Sequence, residues 1–245
     1  EVYRTIGNYN KAKEYHEKAL FVSKKISCEE HADHVLATSY NHLGTDHYRL
    51  GQYKQAQEYH KKALAIRKRI YSDEHADVAA SYNNLGNDHY GLGQYNQAKE
   101  YHKKALVVWE KIYCEEHAHV AMCNNNLGTV YYSLEQYNQA QEYHKKALVI
   151  RRKIYGEEHA KVATSYKNLG TDHWSLGQYN QAQEYHKKAL VIREKIHGEE
   201  HADVATSYNS LGTDHYALNS TIKHKNTTRR HWSSGKRFTA RDMLM

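Results

Sequence analysis

Apolar and small residues recur along the chain with the period of an α-helix. Tyr82, Leu85, Gly86 and His89 fall at positions i, i+3, i+4 and i+7, which places them on one stripe of a helix. This pattern extends roughly from residue 77 to residue 92, and no part of the chain alternates apolar and polar residues as a half-buried strand does. The pattern therefore predicts helices and no sheet.

A second helix is predicted from Tyr95 to Tyr113, after a break at Gly93-Gln94. One face of this helix carries Ala98, Tyr101, His102, Ala105, Leu106 and Trp109. Gly86 has no Cβ, so the second helix can approach the first closely near its alanines. The two segments therefore predict a tightly packed helical hairpin.

The hairpin is one copy of a repeated unit. The four tyrosines that open the second helices, Tyr53, Tyr95, Tyr137 and Tyr179, are spaced 42 residues apart. Glu-His-Ala also recurs, beginning at Glu30 and then, at intervals of 44, 42, 42 and 42 residues, at Glu74, Glu116, Glu158 and Glu200. Strict self-similarity of this length indicates an array in which each unit packs on its neighbours.

The motif Tyr82-x2-Leu85-Gly86, Gly93-x-Tyr95-x2-Ala98 and Ala105-Leu106 resembles the tetratricopeptide repeat. The long unit and the Glu-Glu-His-Ala-Asp-Val-Ala linker are similar to the kinesin light chain and nephrocystin-3 type, although this chain has alanine where that family commonly has proline. The resemblance implies an all-α fold: a right-handed α-solenoid of helix-turn-helix repeats whose first helices line a concave face.

Three segments follow from the repeat pattern. Residues 1–27 read as a partial first repeat, the end of a first helix plus a second helix. Residues 28–218 contain tandem units of about 42 residues. Residues 219–245 leave the pattern, and we expect them to form a disordered C-terminal tail. The chain therefore reads as a fragment of a longer array.

The tail is explained by a shift of reading frame near Asn219. Residues 220–235 can be back-translated with codons that the genetic code permits. When the final C of an Asn219 codon is placed before these bases and they are read in the shifted frame, they translate as QYNQAQEYHKKALVIR. This is the sequence of Gln136–Arg151 and of Gln178–Arg193. A one-base deletion, in the gene or in the sequence record, would thus have replaced a sixth second-helix. We therefore expect no packed structure and no native function after residue 219.

The tail also distorts the charge. The chain has a formal net charge of +7, but residues 219–245 hold seven basic residues against one acidic residue, so only one net positive charge remains for the repeats. Nucleic acid is therefore not an expected partner.

Mean hydropathy is −0.96 and no long apolar run is present, so no membrane association is expected. The three cysteines, Cys28, Cys114 and Cys123, are too few for a disulfide framework, which favours the cytoplasm.

The concave face is predicted to carry three recurring positions on each first helix. They combine carboxamides and hydroxyls, which can read a peptide backbone, with aromatic rings, which supply apolar contact area. In the kinesin light chain family asparagines at the first position contact cargo peptides, and the resemblance implies that role here. The alternative is that asparagine tolerates an exposed helix surface and was copied with the repeat. The predicted peptide-binding residues are Asn41, Thr45, Tyr48, Asn83, Asn87, Tyr90, Asn125, Thr129, Tyr132, Lys167, Thr171, Trp174, Asn209, Thr213 and Tyr216.

Histidine is the other candidate for chemistry, because the chain has 20 histidines. Rows of histidine recur in both helices, and such rows could bind zinc or copper. We favour neutral, partly buried imidazoles that fill aromatic packing positions. The linker histidines beside two acidic residues also resemble a metal site, but acidic groups at helix starts are explained by the helix dipole. We therefore expect no metal and no cofactor.

These patterns favour a protein-interaction scaffold or adaptor that binds peptide segments, and not an enzyme or a binder of small-molecule substrates. No nucleophile–base pair or phosphate-binding loop recurs with the repeats. Three alternatives stay open. The array could be the sensor or oligomerisation arm of a larger signalling NTPase, a kinesin light chain cargo adaptor, or a non-functional fragment of an expanded repeat locus.

Overall fold

A computed structural model of the chain describes residues 2–25 and 30–233, with side chains described for residues 7–25 and 32–223. These residues form ten α-helices and no strand. The helices are α1 (Val2–Lys25), α2 (Glu30–Arg49), α3 (Tyr53–Ile70), α4 (Ala76–Gly91), α5 (Tyr95–Tyr113), α6 (Ala118–Ser133), α7 (Tyr137–Tyr155), α8 (Ala160–Ser175), α9 (Tyr179–His197) and α10 (Ala202–Ser233). The all-helical prediction is confirmed for this part of the chain.

The chain divides into two compact units, Glu1–Ile154 and Tyr155–Met245. In the first unit each helix from α1 to α5 packs against the helix that follows it in the chain. In the second unit α9 packs against both α8 and α10. Contacts between chain neighbours of this kind are those of a repeat array.

Each hairpin core is built from the small and apolar positions of the repeat. Leu43, Leu85, Leu127 and Leu169 of the first helices have no exposed surface. Ala56, Ala98, Ala140 and Ala182 of the second helices are equally buried. The sequence thus predicts the inward face of both helices correctly.

The turn inside each hairpin depends on a left-handed residue. Gly51, Gly93 and Gly177 have φ between 71° and 73°, where glycine carries no Cβ penalty. Glu135 takes the same position with φ 59°, so this turn carries the strain of a non-glycine residue. The following glutamine N–H donates to a carbonyl of the preceding helix, as Gln94 does to His89 at 2.8 Å.

Histidines in the linkers between hairpins cap the helices that follow them. Nδ1 of His75 accepts a hydrogen bond from the Asp77 N–H at 3.1 Å, and its ring stacks on Tyr71 with centroids 3.8 Å apart. His117 and His159 cap the next two helices in the same way. These contacts confirm the interpretation that the linker histidines start helices.

The two ends of the array differ from the central repeats. Helix α1 runs through Gly7 without the glycine turn that separates the two helices elsewhere. Helix α10 continues to Ser233, so residues 219–233 of the out-of-frame segment are helical. Residues 234–245 and Cys28 lie outside the described residues, and expectations about them are not tested.

Candidate functional site

Histidine–aspartate pairs join several second helices to the first helix of the next repeat. Nδ1 of His60 on α3 lies 2.6 Å from Oδ2 of Asp88 on α4, and neither side chain is more than 3% exposed. His186 and Asp214 form the same pair at 2.7 Å between α9 and α10. His16 and Asp46 do so at 2.6 Å, with the histidine part-exposed. The pair is therefore a feature of the repeat.

Burial controls the electrostatics of these pairs. Burial raises the pKa of the Asp88 carboxyl above its ordinary value, and the His60 imidazole opposes that shift. The pKa of Asp214 is raised for the same reason, with His186 opposing. Nε2 of His60 faces Gly44, since a Cβ on that glycine would lie 2.5 Å away. The imidazole is thus enclosed by protein and offers no nitrogen to a substrate.

One repeat lacks the pair. The residue equivalent to Asp88 is Val130, and Nδ1 of His102 has no hydrogen-bond partner. Burial lowers the pKa of His102 to about 4. This imidazole is therefore neutral at physiological pH, as the sequence predicts for all the packed histidines.

A buried arginine forms a second connection between repeats. Nη1 of Arg67 donates to Ser81 Oγ at 2.7 Å and to the Asp77 carbonyl at 3.1 Å. It also lies 3.4 Å from Asn41 Oδ1. Burial lowers the pKa of Arg67, and Asp77 opposes that shift. Arg67 thus connects α3 to the first helices on both sides.

The predicted asparagines lie where consecutive first helices meet. Asn41 Oδ1 accepts from Asn84 Nδ2 at 2.9 Å, and Asn83 Oδ1 accepts from Asn126 Nδ2 at 3.0 Å. Asn83 is only 4% exposed, so its carboxamide holds α4 against α6. Asn125 accepts from Arg151 at 3.1 Å. In the second unit, Lys167 is half-buried and Asn209 is exposed.

The hydroxyls at the second position donate into their own helices. The Oγ1 atoms of Thr45, Thr129, Thr171 and Thr213 each lie 3.0 Å from the carbonyl oxygen four residues earlier. The hydroxyl proton is therefore used within the helix, and the oxygen lone pairs remain able to accept. Asn87, the carboxamide at this position, accepts from Asn126 at 3.5 Å.

The aromatic rings at the third position pair with the tyrosine that opens the next helix. The ring centroids of Tyr48 and Tyr53 are 5.3 Å apart, and equivalent pairs are Tyr90–Tyr95, Tyr132–Tyr137 and Trp174–Tyr179. Burial raises the pKa of Tyr48. Trp174 is 38% exposed and Tyr216, which no following tyrosine covers, is 79% exposed. Aromatic side chains that are partly exposed to solvent therefore recur along this face.

Two pockets bring the predicted positions together, one in each unit. The pocket between α2 and α4 has a volume of about 340 Å³, and it is lined by Thr45, Tyr48, Arg49, His60, Asn84, Asn87 and Asp88. A pocket of 170 Å³ between α8 and α10 is lined by Thr171, Trp174, His186, Ser210, Thr213 and Asp214. Each pocket has an aromatic ring, a hydroxyl and a histidine–aspartate pair among its walls.

Sequence reasoning missed part of this lining. The histidine–aspartate pairs and the residues Asn84 and Ser210 were not predicted as pocket walls. A signal was present, because Asp46, Asp88, Asp172 and Asp214 recur with the repeat and only Val130 interrupts them. The predicted Asn41 and Asn83 lie beside the first pocket's helices but are not part of its wall.

Comparison with known proteins agrees with this architecture. The family model of the tetratricopeptide repeat matches residues 35–111, 119–195 and 169–221. The chain therefore belongs to the tetratricopeptide repeat family, whose members are generally protein-interaction modules. A search of curated protein sequences gave no significant match. Within the described residues, no helix is both long and apolar enough to cross a membrane.

Solved structures of the kinesin light chain kind share the fold. BtubC (BKLC) from P. vanneervenii is 21% identical with a TM-score of 0.74, and the match covers 94% of each chain. A second similar structure is that of a Podosopora anserina protein of the kinesin light chain kind, whose TPR-like repeats are nearly identical to one another. It is 22% identical to this chain with a TM-score of 0.68, and the match covers 86% of this chain and all of that one. A Rap protein complexed with competence and sporulation factor is 18% identical with a TM-score of 0.62, covering 86% of this chain and 56% of its own.

Proposed function

We propose that this chain is a scaffold that binds extended peptide segments along the first-helix face of each unit. The observation that carries the proposal is the pocket between α2 and α4, whose walls come from two adjacent repeats. A pocket with an aromatic rim and a few polar groups suits one side chain of a bound peptide. The equivalent pocket between α8 and α10 supports a repeated mode of recognition.

The fifteen predicted positions take different roles in this proposal. Tyr48 and Trp174 supply apolar contact. Asn87 accepts hydrogen bonds from the peptide or donates to it, and the threonine oxygens accept. Asn41 and Asn83 hold neighbouring first helices together and so shape the face. The Rap protein solved with competence and sporulation factor supports the use of this fold in recognition. We place the chain in the cytoplasm because its described cysteines, Cys114 and Cys123, are free thiols.

The experiment selects ligands from a phage-displayed library of random peptides on the immobilised, untagged chain. Selected peptides are then titrated by fluorescence polarisation against Trp174→Ala and Tyr48→Ala. Each variant removes a partly exposed ring from one pocket, so binding of the peptides that use that pocket should weaken by roughly tenfold or more, about 1.4 kcal/mol.

The matched controls are Val191→Ala and Val107→Ala, which shorten exposed side chains on second helices of the same units. Both controls should bind the selected peptides like the wild type. Peptides that bind Trp174→Ala and Tyr48→Ala with unchanged affinity would show that the first-helix face is not the binding site. Circular dichroism of every variant separates loss of binding from loss of fold.

A further inference from the structure

The linkers share one arrangement of rings, and one linker carries a substitution with chemical consequences. In each of the four linkers after α3, α5, α7 and α9, a histidine that caps the next helix stacks on a ring at the end of the previous helix. The centroid separations are 3.8 Å for Tyr71–His75, 4.1 Å for Tyr113–His117 and 4.5 Å for Tyr155–His159. Between α9 and α10 the tyrosine is replaced by His197, which stacks on His201 at 4.1 Å. Two imidazoles therefore face each other in this linker.

A carboxylate completes the cluster. Oδ2 of Asp203 lies 3.8 Å from Nε2 of His197 and 3.8 Å from Nδ1 of His201. One ligand atom from each of the three residues lies within 4.8 Å of the others. Ligands of a tetrahedral zinc ion, each about 2.0–2.1 Å from the metal, are separated by roughly 3.4 Å. The two nitrogen–oxygen separations of 3.8 Å are close to that spacing, and all three residues are exposed.

We propose that His197, His201 and Asp203 form a zinc-binding site, with water as the fourth ligand. Two imidazole nitrogens and one carboxylate oxygen are a donor set that zinc prefers in proteins. Nδ1 of His201 accepts the Asp203 N–H at 3.1 Å, so this nitrogen already carries a lone pair on the side of Asp203. Zinc bound there takes the place of that capping hydrogen bond.

The linker between α3 and α4 is a natural control for this site. Nδ1 of His75 lies 3.8 Å from Oδ2 of Asp77, the same separation as in the proposed site. The third position is Tyr71, whose hydroxyl accepts or donates a hydrogen bond with His34 at 2.7 Å. A neutral phenol is a poor zinc ligand, so this linker should bind zinc weakly. The proposal therefore assigns the site to one linker of the chain.

The test is calorimetric titration of the untagged chain with Zn²⁺, supported by the absorption spectrum of bound Co²⁺. His197→Tyr gives the α9–α10 linker the ring that three other linkers carry, so the variant should fold. We expect the wild type to bind one more equivalent of Zn²⁺ than His197→Tyr, and only the wild type to give the cobalt spectrum of a four-coordinate site. Equal stoichiometry and affinity in the two proteins would overturn the proposal.

A second variant tests the three-residue set. Tyr71→His in the His197→Tyr background rebuilds the donor set in the α3–α4 linker with His75 and Asp77. Recovery of one equivalent of bound Zn²⁺ supports the set of two imidazoles and a carboxylate. A double variant that stays without the extra equivalent would overturn the assignment of the ligands. Circular dichroism confirms that both variants keep their helices.

Discussion

At the residue scale, a glycine on each of the first helices α2, α4, α6 and α8 makes room for the histidine of its own hairpin. A Cβ added to Gly86 would lie 2.6 Å from Cε1 of His102, and one added to Gly44 would lie 2.4 Å from Cδ2 of His60. Gly128 and Gly170 have the same relation to His144 and His186. Glycine is therefore required at this position by packing, although alanine is the better helix former.

Gly86→Ala should destabilise the chain, because its Cβ would overlap the buried His102 ring. Overpacking of this kind costs about 1–3 kcal/mol, which exceeds the gain of up to about 1 kcal/mol in helix propensity. The control is Gly212→Ala on α10, where nothing lies within 4 Å of the added Cβ. Urea unfolding should show a lower midpoint for Gly86→Ala and an unchanged or higher midpoint for Gly212→Ala. Equal effects of the two substitutions would contradict the steric explanation.

His102 makes the stability of the fold sensitive to acid. Burial lowers its pKa to about 4 in the folded chain, whereas the unfolded chain titrates near the ordinary value of 6.5. The unfolded state therefore binds the proton first, and stability falls as the pH drops from about 6.5 towards 4, by about 2 kcal/mol at pH 5. The raised pKa values of Asp88 and Asp214 act in the opposite direction, because the folded state takes up those protons first.

Val130→Asp should reduce this acid sensitivity. The new carboxylate would occupy the position of Asp88 and pair with His102, which favours the imidazolium and raises the pKa of His102. The difference in unfolding free energy between pH 7 and pH 5 should then be smaller than in the wild type. Val130→Asn, which has the shape of aspartate without its charge, is the control. If both variants respond to pH alike, charge pairing is not the cause.

At the element scale, the contact between α5 and α6 replaces the polar connections of the other repeats with apolar ones. Trp109 stands where α3 has Arg67, and Cys123 stands where α4 has Ser81. Both side chains are at most 2% exposed and belong to one apolar cluster with Tyr82, and burial raises the pKa of the Cys123 thiol. Arginine–serine and tryptophan–cysteine are thus two solutions for the same contact.

Trp109→Arg alone should destabilise the chain, because the buried guanidinium would lack the serine oxygen that Arg67 uses. Adding Cys123→Ser supplies that oxygen, so the double variant should be more stable than the sum of the single effects predicts. A coupling energy of about 0.5–3 kcal/mol is the usual range for contacting residues. A double-mutant cycle measured by urea unfolding checks this, and additive effects would mean that the pair is not matched.

The elements were more predictable than the contacts between them. The predicted second helix has the bounds of α5, because Gly93 and Gln94 define its start by local turn chemistry. Burial of His60 and His102 was also predicted, since helical phase gives the inward face. The partner Asp88 was missed because it lies on another helix, 28 residues after His60, where helical periodicity carries no information. Helical periodicity places Asn83 on the side of α4 that faces away from its own hairpin, but the neighbouring α6 covers this residue.

At the scale of the whole molecule, α10 is a first helix whose inward face is not covered by a second helix among the residues that the structure describes. Leu211 is part-exposed, whereas its four equivalents are fully buried. His215 is exposed, whereas His173 in the same position of α8 is buried. Repeat arrays need a covering element at such a face, because each unit cannot bury its apolar surface alone.

Restoring the second helix should therefore stabilise the second unit. In the designed variant, residues 219–235 are replaced by one glycine followed by the sixteen residues of Gln178–Arg193. The histidine of the new helix should then pack against Gly212, as His186 packs against Gly170. Full burial of one leucine contributes about 1.5–3 kcal/mol, so a gain of about 2 kcal/mol is a modest expectation. Amide hydrogen exchange should slow along α10. A variant that carries the same sixteen residues in scrambled order is the control, and equal protection in both would mean that added length, and not the repeat contact, stabilises α10.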